Sequence, residues 1–143
     1  MRPPGCGSID SPALKMEPAM PRSASVQKIL IIVHAPPYGS ERCLSALRLA
    51  LALTGREGVR PLLDVFLMSD ATVLGLPHQQ DASGNTLQQM VEKLVEHEVP
   101  VRLCKTCAGN RGLLGLPLIT GVSIGTLAEL AEATVQADKV LTF

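Results

Sequence analysis

The sequence predicts an α/β layered domain built on a largely parallel sheet. Three observations predict it. Lys28–His34 is an unbroken apolar run, Lys-Ile-Leu-Ile-Ile-Val-His, closed by Pro36 and Pro37. That is the pattern of a strand buried on both faces, as strands of parallel sheets are. Strand-sized runs then alternate with segments of helical period, which lays helices against the faces of such a sheet. The core has to be aliphatic: 46% of the 143 residues are apolar, but only Tyr38, Phe66 and Phe143 are aromatic.

Residues 1–25 show no period of 2 or 3.6 and carry Pro3, Pro4, Pro12, Pro18 and Pro21. Such a segment buries too little apolar surface to offset its ordering entropy. It is expected to be a disordered extension, with one domain over 26–143. It has no apolar stretch of signal-peptide type.

The first strand is Lys28–His34. Ala35–Ser40 is a loop, and Ser40 is expected to cap the helix Glu41–Arg56, with Glu41 favourable in its first turn. Cys43, Leu44, Leu47, Ala50, Leu51 and Leu53 give that helix a wide apolar surface. Gly55 and Gly58 end it. Leu62–Met68 is the second strand, with Asp64 as an anomaly inside it. Ser69 and Asp70 are expected to cap a short turn through Leu76. Pro77–Asn85 is a polar loop. In Thr86–His97, Leu87, Met90, Val91, Leu94 and Val95 keep strict helical spacing. Val99–Cys104 is the third strand. A connection rich in glycine (Gly109, Gly112, Gly115, Gly121) follows, and Ser123 or Gly125 opens a last helix bearing Leu127, Leu130, Ala131 and Thr134. Lys139–Phe143 is a fourth strand. A fifth is expected within Leu114–Val122, giving about five.

Charge and composition exclude several functions. Thirteen basic residues balance thirteen acidic ones, which argues against binding nucleic acid by phosphate neutralisation. The scarcity of aromatics removes stacking platforms for bases. No apolar run approaches the ~18 residues of a membrane span. The four cysteines are not spread as a disulfide framework: Cys6 lies in the tail, Cys43 in a helical pattern, and Cys104 and Cys107 form a C-x-x-C. The reading is a cytoplasmic protein with reduced thiols.

Sites in open α/β sheets form beyond the carboxyl ends of the strands. Those ends here carry His34 and Tyr38, then Met68-Ser69-Asp70, then Cys104. Cys104 precedes a short helical turn, Lys105–Asn110, whose free N–H groups would favour a thiolate; Lys105 and Arg111 can add to that. The alternative is a small buried residue closing a strand. If the turn is helical, Cys107 shares a face with Cys104. The pair then reads as a redox dithiol, or as a packing residue beside one working thiol. A structural zinc would need four ligands, and no second pair is present. No metal and no cofactor are expected. His34 is either a satisfied strand-end ring or a base. Asp70 is a turn cap or a base, and Tyr38 a loop seal or a subunit contact. No phosphate loop, H-E-x-x-H or G-x-S-x-G motif is present.

Several blocks recur together: Ala35-Pro-Pro-Tyr-Gly-Ser-Glu41, Phe66-Leu-Met-Ser-Asp-Ala71, Val99-Pro-Val-Arg-Leu-Cys-Lys-Thr-Cys107, Arg111-Gly112, Ile124-Gly-Thr-Leu127 and Ala137–Phe143. On these, the chain from about Val26 resembles the YchN-type branch of the DsrE/DsrF-like family, and more distantly the TusD-type subunits of sulfur relays. The resemblance implies a three-layer α/β/α sandwich and assembly into homo-oligomers, hexamers in this branch. It implies that Cys104 is the sulfur-accepting cysteine, carried as a persulfide and relieved by a partner. Cys107 matches a second cysteine of the branch and not of the relay subunit. A second thiol there would resolve the persulfide as a disulfide and release sulfide.

Three functions follow as expectations. The first is a sulfur carrier with donor and acceptor proteins as partners. The second is a dithiol redox or sensor protein using Cys104 and Cys107. The third is a non-catalytic oligomeric binding module. Cys104 and Cys107 are the expected reactive residues, supported by Lys105, Arg111, His34, Tyr38 and Asp70.

Overall fold

The computed structural model describes residues 25–84 and 86–143. Apart from Ser25, the extension expected at 1–25 lies outside the described residues. The elements run β1 (Lys28–Val33), α1 (Arg42–Thr54), β2 (Leu62–Leu67), a 3-10 helix (Ser69–Gly75), α2 (Thr86–Glu96), β3 (Val101–Cys104), α3 (Lys105–Asn110), β4 (Ser123–Gly125), α4 (Leu127–Gln136) and β5 (Lys139–Thr142). The five strands form one sheet in the order β4-β3-β2-β1-β5. Every pairing is parallel.

The sheet is a middle layer. Alternate residues of a strand point to opposite faces, and β1 buries both sets: Ile29, Ile31 and Val33 on one, Leu30 on the other. On the first face α1 buries Cys43, Ala46, Leu47 and Ala50, the i, i+3, i+4, i+7 stripe of an amphipathic helix. Beside it α2 buries Leu87, Val91 and Leu94. The second face holds a smaller cluster, Leu30, Phe66, Cys104 and Leu130, and α4 covers it. Phe66 is fully buried there; burying such a ring contributes about 2–3 kcal/mol.

Four expectations are corrected. Leu114–Val122 contains no strand; the fifth strand is Ser123–Gly125, paired to Arg102–Cys104. Gly112, Gly115 and Gly121 adopt positive φ and break the extended path before it. At Gly121 a Cβ would overlap Val95, so the connection lies directly on α2. The last helix therefore starts later than expected, with Thr126 as its cap. Thr126 Oγ1 accepts from Glu129 N at 3.2 Å while the Glu129 carboxylate accepts from Thr126 N, a reciprocal capping box. Ser40 is not the cap of α1 either. Glu41 holds that position without a side-chain bond, and Ser40 Oγ reaches only Arg42 N at 3.5 Å. Likewise Ser69 sits inside the 3-10 helix at φ 49, with Met68 in the capping position.

Candidate functional site

The strand order sets the site. Parallel strands all end on one edge of the sheet, and neighbours in the order end side by side. Along that edge stand Gly125, Cys104, Met68, then His34 and Phe143. Cys104 is the last residue of β3 and the N-cap of α3. Only 3% of it is exposed. It packs in the Leu30–Phe66–Leu130 cluster, with Met68 and Cys107 partly buried against the same group. Both thiols are free. The C-x-x-C spacing thus does what a helical turn allows: it returns the second sulfur-bearing side chain to the face of the first.

Cys104 is register partner to Gly125 of β4. A Cβ on Gly125 would stand 2.8 Å from Phe66 Cε2 and 3.2 Å from Arg102 Cβ. The glycine leaves room for the Phe66 ring beside β4.

Arg111 reaches across to the exit of β2. Its Nε and Nη2 donate to Asp70 Oδ1 at 3.1 and 2.8 Å, and its Nη1 donates to the Cys107 carbonyl at 3.0 Å. Arg111 and Asp70 therefore clamp the end of α3 to the 3-10 helix. Lys105 opens α3 and is exposed.

Two of the expected residues lie elsewhere. His34 directly follows β1, two strands from Cys104; its backbone N–H donates to the Phe143 carbonyl at 2.9 Å, and it lines a hollow with Arg42 and Thr142. Tyr38 lines a cavity of about 320 Å³ with Glu41, Leu44, Asp81 and Leu87, on the side of the sheet that α1 and α2 cover. Burial, and then the nearby Asp81 charge, raise its phenol above the ordinary value.

A charged group the sequence reading did not assemble lies on the Cys104 face. Arg102, two residues before Cys104, pairs with Asp64 of β2, and its Cζ stands 5.5 Å from the Phe66 ring centroid. Its Nη1 is 3.9 Å from Glu129 Oε1 on α4. Burial pushes the Asp64 carboxyl up, opposed by the Arg102 charge and hydrogen bond. The Thr126 bonds, first from its backbone and then from its side chain, hold Glu129 below the usual range. Asp64 Oδ1 and Arg102 Nε are buried without hydrogen-bond partners. The available signal is a charged residue inside each of two apolar strands, with Arg102 in phase with Cys104 on the same strand.

Cys43 is the contrasting thiol. It is fully buried, donates from Sγ to the Ala35 carbonyl at 3.1 Å, and burial pushes it up to about 11. It is a packing residue. Among the described residues no group of three His, Cys, Asp or Glu is placed to hold a metal ion. No helix among them is long and apolar enough to cross a membrane.

The sequence profile of the DsrE/DsrF-like family matches residues 27–143. The chain belongs to the DsrE/DsrF-like family. It is similar to protein YchN of Escherichia coli strain K12, 53% identical over 118 residues, which is 82% of this chain and all of that one. The crystal structure of that E. coli protein superimposes with a TM-score of 0.78 over the same shares of both chains. An uncharacterised protein of Methanopyrus kandleri is 31% identical over 119 residues, 82% of this chain and 95% of its own. The sulfurtransferase TusD of Salmonella arizonae is 33% identical over 129 residues, 79% of this chain and 97% of its own.

Proposed function

We propose that this member of the family is a sulfur carrier and that Cys104 is its working thiol. The observation that carries the reading is the position of Cys104: a cysteine at the carboxyl end of a central strand, on the edge where α/β sheets place their chemistry, in an apolar setting that shields a reactive sulfur species from water. Similarity to a protein named as a sulfurtransferase supports it.

The step balances without an external oxidant. The Cys104 thiolate attacks the outer sulfur of a donor persulfide, R–S–SH. The donor S–S bond breaks, a new S–S bond forms as Cys104–S–SH, and the donor leaves as a thiolate. Delivery repeats the exchange: an acceptor cysteine thiolate takes the outer sulfur, and Cys104 leaves as thiolate. Arg111 and Asp70 hold α3, and with it Cys107, at the exit of β2. Lys105 supplies positive charge at the mouth of the site.

The presence of Cys107 in the same apolar cluster favours a second reading, a redox dithiol. Cys107 would attack the inner sulfur of the persulfide, form a Cys104–Cys107 disulfide and expel hydrosulfide. Intact-mass measurement after incubation with a persulfide donor separates the two. The carrier gains one sulfur and keeps that ability in Cys107→Ser; the dithiol protein loses two hydrogens instead and needs both cysteines.

The assembly we propose is a homohexamer working in the cytoplasm, with donor and acceptor proteins as transient partners and residues 1–25 as an appended extension. Exposed Leu49 on α1 and Leu114 and Leu116 on the glycine-rich connection support a contact between copies. Sedimentation velocity tests the hexamer.

A further inference from the structure

The two helical layers are not equally anchored. Against the first face α1 and α2 bury a continuous core. Against the second face α4 buries Leu130 alone, with Ala133 and Ala137 packed partly. A cavity of about 200 Å³ opens beside the rear of α4, between Ala133, Gln136 and Ala137 and the sheet residues Leu30, Leu62 and Asp64, and just past it Asp138 N donates to the Lys28 carbonyl of β1 at 2.9 Å. The front is held by polar contacts. One oxygen of Glu129 closes the capping box with Thr126, and the other faces Arg102 at 3.9 Å. Arg102 is itself fixed to the sheet by Asp64 and the Phe66 ring. The chain enters α4 directly from Gly125, the register partner of Cys104.

We propose that α4 is a lid over the Cys104 face, latched by Arg102, which ties Glu129 on the lid to Asp64 on the sheet. A helix with one buried apolar side chain and an open cavity beside its far end opens locally far more readily than the domain unfolds. Arginine suits the latch because its planar fork can address two carboxylates while its face lies on an aromatic ring; lysine offers one point charge. Arg102 acts through α4 and is a positioning residue. The lid deepens the reading of Cys104 as the working thiol and rests on it for its purpose. Closed, it shields the sulfur while it is carried; open, it admits the donor and acceptor.

The test is alkylation of unloaded full-length protein with iodoacetamide, read at the Cys104 peptide by mass spectrometry, beside amide exchange of α4, β1 and β2. Glu129→Gln keeps an acceptor for the capping box and removes the charge facing Arg102. Arg102→Lys keeps a partner for Asp64 and removes the fork. Each variant is expected to alkylate Cys104 about two- to five-fold faster, the scale of losing an exposed ion pair. Exchange in α4 rises with it, and exchange in β1 and β2 does not change. Unchanged Cys104 alkylation in both variants overturns the lid. So does acceleration that β1 and β2 share in step, because the opening is then global. Sulfur loading does not enter this readout, so the lid and the carrier reading fail separately.

Discussion

Cys104 and Gly125 are register partners on adjacent parallel strands, and the glycine leaves the Phe66 ring room beside the cysteine. Gly125→Ala puts a methyl group 2.8 Å from that ring. Overpacking at a buried site costs about 1–3 kcal/mol. Urea denaturation of Gly125→Ala should show that loss, and Phe66→Leu in the same chain should recover part of it.

Arg111 makes two hydrogen bonds to Asp70 of the 3-10 helix and one to the Cys107 carbonyl of α3. Both partners are partly exposed, so Arg111→Ala should cost no more than about 1 kcal/mol of stability. Its effect should fall on the site: slower sulfur loading of Cys104, measured as initial rate against donor concentration. Arg111→Lys should restore little, because one ammonium cannot replace the fork that spans Asp70 and the Cys107 carbonyl.

The pH dependence of stability carries two opposite contributions. Burial raises the Asp64 carboxyl, so the folded chain binds that proton more tightly than the unfolded chain and ionised Asp64 costs stability. The cost is relieved as pH falls through the raised value. The Glu129 carboxyl is held low, so its contribution is present above the ordinary Glu range and is lost on acidification. Asp64→Asn removes only the first effect. Between neutral pH and pH about 4, the Asn variant should lose more stability than wild type. Urea midpoints at the two pH values check the sign.

Cys43 should stay unreactive. Its thiol is buried, bonded to Ala35 and pushed up to about 11, so at neutral pH it is protonated and covered. Iodoacetamide should label it only through global unfolding, and added urea should speed that labelling in proportion to the unfolded fraction.

The parts of the fold legible in the sequence are those a single element dictates. Ile29–Val33 reads as a doubly buried strand because both of its faces are apolar. Leu87, Val91 and Leu94 read as one helical face because their spacing is helical. Ser123–Gly125 is not legible as a strand, because three residues carry too little pattern and only their pairing with β3 makes them one. At the site, Cys104 was legible from its place after an apolar run, and Cys107 from its spacing. Strand ends alone group His34 and Tyr38 with Cys104, because strand order and face are not legible in the sequence. In the folded chain β2 separates β1 from β3, and Tyr38 opens onto the α1–α2 side. The Arg102–Asp64 pair was hidden for the same reason: its members are 38 residues apart, and only the β2–β3 register brings them onto one face.

The most direct test of the central claim is peptide mapping of the sulfur after incubation with a persulfide donor. Cys107→Ser is loaded, trapped with an alkylating reagent and digested. The carrier reading expects one added sulfur on the Cys104 peptide, lost again when an acceptor thiol is supplied, and none in Cys104→Ser. An unmodified Cys104 peptide under every donor, or sulfur found equally on Cys43, would contradict it.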